Sequence, residues 1–379
     1  MESVAQIKRY RWVFAIVGFC AMAARMNAQA LEVRTDQRVE LLSIIFRLAG
    51  SPEYTNGAIP GYEAAIDAHF KQFREHEAVR LVRELRRKDG VAYDAVMSLA
   101  VHVTNIETLA ERVPLDQPWI LLDKRWHGGE ARRFLEAARR FEAETRYLEF
   151  VQSQKPLYET AGRRLKAFAE SALDQAWFGR FFGTQAGARF IIVPGLVNGN
   201  SNYGAKFRDA DGSEEMYAIL GVWSVDKAGA PAFDPMVTAV LVHELVHSHT
   251  NPLIDAHSRE LTAAAAKVFG PVAEAMRAQA YGEPRVVLYE TLVRGCVARY
   301  LLAHGGETLA RRAIEADTQD SFFWAQEVYD LLGAYERERA AYPTLEAFMP
   351  KLIDYFKGLG PRVPALIKSN VESHPTVAH

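Results

Sequence analysis

The sequence predicts an α+β protein, mostly helical, with a small sheet beside one apolar helix that carries two histidines. Three observations carry that expectation. Apolar residues recur at helical spacing along most of the chain, as in Leu41, Leu42, Ile44, Ile45 and Leu48. The texture changes after Gly179, where Arg189-Phe190-Ile191-Ile192-Val193 and Met216–Trp223 read as strands around the turn-rich stretch Asn198–Gly204. Next comes His243-Glu244-Leu245-Val246-His247, inside an apolar run from Met236 to His249.

Taken in order, the chain opens as a secretory signal peptide over residues 1–30. Lys8, Arg9 and Arg11 form a basic region, Trp12 to Ala24 an apolar one, and Ala28-Gln29-Ala30 a small-residue cleavage site. The apolar stretch is about a dozen residues, short for a bilayer span, so export by cleavage is expected over an uncleaved anchor. Cys20 lies inside that stretch without the small-residue context of a lipid-modified cysteine.

Residues 31–180 form an N-terminal helical region, with helices expected at Gln37–Leu48, Tyr62–Arg87, Tyr93–Val103, Gly129–Gln152 and Leu157–Phe178. The alternating charges of Ala131–Arg146 read as a solvated helix face. Residues 181–379 form the second region: the two strands, the histidine helix, and further helices at Asp255–Ala280, Arg285–His304, Ser321–Arg339 and Thr344–Lys357.

Without the leader the chain keeps 41 basic and 46 acidic residues, a net charge of −5. That mild acidity lacks the electrostatic footprint of a nucleic-acid binder. Cys296 is then the remaining cysteine, so no intramolecular disulfide is available and the fold must rest on its core. With 49% of the sequence apolar, that core is ample.

The chemistry concentrates in the histidine helix. Residues four apart share a helix face, so His243 and His247 can present two imidazoles to one Zn²⁺ ion. Glu244 is one step round, close enough to hold a water of the metal and placed as a base rather than a ligand. Asp234-Pro235 supplies a helix start, with Asp as N-cap and Pro at the first helical position. Val237, Val240, Leu241, Val242, Leu245 and Val246 leave little polar face, and burying two imidazoles and a carboxylate there is costly without a partner. The competing reading is a pair of core histidines bonded to backbone carbonyls.

A catalytic zinc keeps three protein ligands and one open position. The downstream candidates for the third are His249, Asp255, His257, Glu260, Glu283 and Glu290. His249 points elsewhere on the helix, and Asn251-Pro252 is expected to end it, because the residue before proline disfavours helical geometry. Asp255, His257 and Glu260 would then need a sharp chain reversal. Glu290 lies in the apolar stretch Val286–Val293, where a lone carboxylate calls for a partner; that partner is the metal, an ion pair with Arg294, or both. An edge strand supplied by Val193 or Met216–Val222 would seat an extended substrate, the alternative being an ordinary core hairpin. Tyr203, Tyr281, Tyr289 and His257 are unranked candidates for a donor to the developing oxyanion.

The stretch His243-Glu244-Leu245-Val246-His247-Ser248-His249-Thr250-Asn251-Pro252, with Tyr289-Glu290-Thr291-Leu292-Val293-Arg294, resembles an exported bacterial family of uncharacterised function with a gluzincin-like zinc metallopeptidase signature. Arg38–Gly50 and Tyr93–Met97 resemble it too, so the likeness covers most of the chain after the leader. The resemblance implies a zincin-like fold, with the small sheet beside the metal helix. The expectation is a secreted zinc-dependent hydrolase, a peptidase acting on peptide or protein substrates, with His243, His247 and Glu290 on Zn²⁺. The metal would bring the pKa of its water to about 7, and Glu244 would take its proton and pass it to the leaving amine. The rivals are a non-catalytic zincin-like envelope binding or scaffold protein, and an amidase of cell-wall peptides.

Overall fold

The computed structural model describes residues 31–183, 188–233, 236–279 and 281–373. The leader and the Asp234-Pro235 helix start lie outside the described residues.

A four-stranded sheet divides two hydrophobic cores. β1 (Glu32–Val33), β2 (Ala188–Gly195), β3 (Tyr203–Arg208) and β4 (Glu214–Gly221) run in the order β1-β2-β4-β3, with β3 antiparallel to β4 and the other pairs parallel. β5 (Ser224–Val225) and β6 (Pro231–Ala232) form a separate short ladder. Side chains alternate across a sheet, and here the alternation is used on both faces. Ile191, Val193, Tyr203, Ala205, Phe207, Tyr217 and Ile219 face one core; Phe190, Ile192, Met216, Ala218 and Leu220 face the other.

The first core is built by α1 (Gln37–Leu48), α2 (Pro60–Phe70), α3 (Glu77–Asp89), α4 (Asp94–Val101), α5 (Gly128–Glu144) and α6 (Tyr147–Ser153). Asp36 caps α1 by accepting from the Arg38 N–H at 3.0 Å, and Gly50 closes its end at φ 83°. Val39, Leu41, Leu42, Ile44, Ile45 and Phe46 of α1 are fully buried, each worth about 1.5–3 kcal/mol of transfer. α7 (Lys155–Ala172) crosses from the first core to the second, with Tyr158 and Ala161 in one and Leu165 and Ala169 in the other.

The second core gathers α8 (Gln175–Phe182), α9 (Met236–Ala256), α10 (Ser258–Phe269), α11 (Ala273–Ala278), α12 (Pro284–Gln319), α13 (Ala325–Arg337), α14 (Leu345–Leu359) and the first turn of α15 (Val363–Ser373).

Several expected helices are divided. Tyr62–Arg87 becomes α2 and α3, because His76 Nδ1 accepts from the Ala78 N–H and starts a new helix. Gly129–Gln152 breaks at Arg146, which adopts φ 54°, and Leu157–Phe178 breaks where Asp174 caps α8. Gly270-Pro271 separates α10 from α11. α12 instead runs on past His304 to Gln319, bent at Gly306 (φ 75°).

Two corrections bear on the site. The turn signals of Asn198–Gly204 hid the start of β3. Because β2 lies between β1 and β4, and β3 pairs with β4 as far as Ile219, the expected edge segments, Val193 and most of Met216–Val222, are interior, and β3 is the edge strand that meets Glu244 of α9. The histidine helix also does not end at Asn251. α9 continues through Pro252 to Ala256. Proline in a helix interior costs about 3 kcal/mol; the turn beyond it returns a comparable amount by burying Ile254 completely and packing Leu253 on the second core.

Candidate metal centre

α9 and α12 pack side by side and bring His243, His247 and Glu290 together. The two Nε2 atoms are 3.1 Å apart. His243 Nε2 lies 3.4 Å from Glu290 Oε2, and His247 Nε2 lies 3.4 Å from Glu290 Oε1. Asn251, one turn beyond His247, sets its tautomer. An amide oxygen only accepts, so Nδ1–H of His247 donates to Asn251 Oδ1 at 3.1 Å and Nε2 is left with its lone pair.

These residues fit a metal by two tests. Tetrahedral zinc with bonds of about 2.0–2.2 Å holds its donor atoms about 3.3–3.5 Å apart, close to the separations seen here. Glu290 Oε2 is also buried with no hydrogen-bond partner, a costly state that a cation relieves.

The electrostatics favour a positive charge in the site, carried by a proton or a cation. Burial holds the His243 imidazole down to about 3, so it stays neutral and able to ligate. At His247 burial also opposes charge, but the hydrogen bond and charge of Glu290 outweigh it and its pKa lies above the ordinary value. Burial would raise Glu290, yet His243, His247 and Arg294 together hold its carboxyl down to about 2.

Arg294 is less an ion-pair partner for Glu290 than a brace behind it. Its Nε is 3.8 Å from Glu290 Oε2, whereas its Nη1 lies 2.5 Å from Asp317 Oδ1 and 3.2 Å from Asp320 Oδ2, and its guanidinium stacks 4.4 Å above the Phe322 ring.

The other candidate ligands lie elsewhere. His249 stacks on Phe182, ring centres 4.2 Å apart. Asp255 accepts from the Tyr289 hydroxyl and from Arg285. His257 and Glu260 face each other at 3.6 Å, and Lys357 pairs with Glu260. Glu283 pairs with Lys124.

Of the proposed oxyanion donors, Tyr281 stands beside Arg294 and feels the charge of Glu290. Its hydroxyl is 3.5 Å from Arg294 Nη2, and burial beside Glu290 pushes its pKa up to about 12. Tyr203 turns into the first core, and Tyr289 is engaged with Asp255.

Glu244 leaves the ligand group and faces β3. A β-carbon on Gly204 would come within 2.7 Å of Glu244 Oε2, so the carboxylate occupies the space that this glycine leaves open. Burial raises its pKa, with Glu290 adding to the shift and His247 and Lys206 opposing it.

Sequence reasoning missed Asn251, read as a helix stop although it sits at i+4 from His247. It also missed the pair Gly204 and Lys206, whose strand was not recognised, and Asp317, which lay beyond the expected end of its helix. A second group of potential ligands, Asp89, His127 and Glu130, joins the end of α3 to the start of α5, where Lys88 already pairs with Glu130.

Residues 31–355 match the family model described as a domain of unknown function (DUF4932), and the chain belongs to that family. No curated protein and no solved structure matches it. Among the described residues no helix is long and apolar enough to cross a membrane.

Proposed function

We propose that the chain is an exported zinc-dependent hydrolase of zincin-like fold, a peptidase in which Glu244 is the general base. The observation that carries this reading is the position of Glu244. It lies between the His243/His247/Glu290 group and the edge strand β3, where an extended peptide can add its backbone to the sheet.

Zinc bound by the three residues supplies Lewis acidity, polarising a carbonyl and acidifying water. The chain's own residues do the rest. Asn251 orients His247, Arg294 braces Glu290, and Glu244 accepts a proton at its carboxylate and returns it to the nitrogen of the leaving amine. Burial raises its pKa, the direction that helps a carboxylate return a proton it has accepted.

The test is turnover of casein and peptide libraries by the zinc-loaded protein and by Glu244→Gln. The variant is expected to keep its zinc and fold while kcat falls at least about a hundredfold. A zinc-loaded wild type that cleaves neither would return the protein to the binding or scaffold class. Cleavage confined to muropeptides would make it a cell-wall amidase.

A further inference from the structure

The face of β3 that meets Glu244 carries Gly204, Lys206 and Arg208, while Tyr203, Ala205 and Phe207 turn into the first core. Other cations around this face are already paired. Arg208 holds Glu214 through Nε at 2.8 Å and Nη2 at 2.5 Å. Arg285 lies 3.3 Å from Asp255, Arg294 is held by Asp317, and Lys124 by Glu283.

Lys206 is different. It is half-buried, and among the described residues no carboxylate lies within 4 Å of its ammonium. The acids whose charge reaches it are Asp255, Glu214 and Glu244. The first two are engaged by Tyr289, Arg285 and Arg208, and the third faces Gly204.

We propose that Lys206 receives a carboxylate of the substrate, placed about two residues along from the bond that Glu244 serves. This deepens the peptidase reading and rests on it. The register follows from strand geometry: Gly204 and Lys206 are two residues apart on one face, about 7 Å, so an anion held at Lys206 stands two residues along an extended peptide from the bond beside Gly204. Burial lowers the lysine's pKa from its ordinary value, so a bound anion restores interactions that desolvation removed. Two sources offer the same chemistry: a free C-terminal carboxylate, and an acidic side chain two residues from the scissile bond.

Binding is measured first, by calorimetry on the zinc-loaded Glu244→Gln protein so that nothing is consumed. The probes are a dansylated tetra-alanine with a free C-terminal acid, the same peptide as its amide, and that amide with aspartate as its last residue. One or both carboxylate peptides are expected to bind at least about tenfold tighter than the plain amide, the scale of one charge-assisted hydrogen bond. Adding Lys206→Met, which keeps the apolar stem, should erase the difference, and Lys206→Arg should keep most of it. The free acid and the aspartate amide separate the two sources.

Equal binding of all three peptides, or a preference that survives Lys206→Met, overturns the proposal. Hydrolysis is then followed with Glu244 intact. A carboxylate preference in binding without cleavage of any of the three peptides keeps the role of Lys206 and removes the peptidase. Cleavage with equal kcat/KM for acids and amide does the reverse.

Discussion

Glu244 and Gly204 occupy one another's space: the carboxylate of a helix residue fills the volume that a side chain on the edge strand would need. The contact fixes where a proton acceptor stands relative to the sheet. It also explains why a glycine, poor in strand propensity, stands near the start of the edge strand β3.

Gly204→Ala is therefore expected to separate folding from activity. The intruding methyl meets the tip of a flexible side chain, so Glu244 swings aside at little cost and the melting temperature moves by no more than a few degrees. The displaced base loses about a hundredfold in kcat, the scale of a misplacement of about 1 Å. Comparing melting curves with turnover checks both halves.

Glu290 and Arg294 are distinguished by zinc affinity. Glu290→Gln removes a ligand and should weaken binding by more than about tenfold, whereas Arg294→Ala removes a brace and should weaken it less. Competition with a chromogenic chelator reads both. If Glu290→Gln holds zinc at wild-type affinity, the carboxylate is not a ligand.

Asn251→Ala tests the tautomer argument. Without the amide oxygen, His247 loses the partner that keeps its proton on Nδ1, and zinc affinity should fall by about 10–100-fold. Asn251→Asp should retain affinity, because a carboxylate accepts the same hydrogen bond.

The pH dependence of stability should carry a signature of Glu40. It is fully enclosed, accepting from the Leu196 N–H at 2.8 Å and from the Tyr62 hydroxyl at 2.9 Å, and burial raises its pKa to about 7 despite both bonds. A carboxyl whose folded pKa lies above its unfolded value binds its proton more tightly when folded. Its contribution is present in acid and is lost as pH rises from about 4.5 through 7, on the order of 3 kcal/mol in all. Glu40→Gln should remove that slope, so that the variant gains on the wild type between pH 5 and pH 8. Denaturant titrations at the two pH values measure it.

The sequence made α1 and the histidine helix legible because their patterns are local: the apolar run of Leu41 to Leu48, and two histidines one turn apart. Glu290 was legible for the opposite reason, as a carboxylate in an apolar helix that had to find a partner. β3 was not. Tyr203, Ala205 and Phe207 become an inward face only once β4 sets their register, and Gly204 beside Asn202 reads as a turn until then. α9 hid its true length because Pro252 is a local stop signal, overruled by the burial of Ile254 in a core assembled from distant residues. Arg146, at φ 54°, breaks a helix with no glycine or proline to announce it.

The sheet that carries Gly204 completes a core on each of its faces, and this sets how the molecule can come apart. β2 and β4 cannot leave one layer without stripping the other of its wall. Expressed alone, residues 181–379 would turn Ile191, Val193, Phe207, Tyr217 and Ile219 to water, an oily face ready to stick to its own kind. The two halves are thus coupled through the sheet, and opening either one uncovers an apolar face that the other half cannot cover alone.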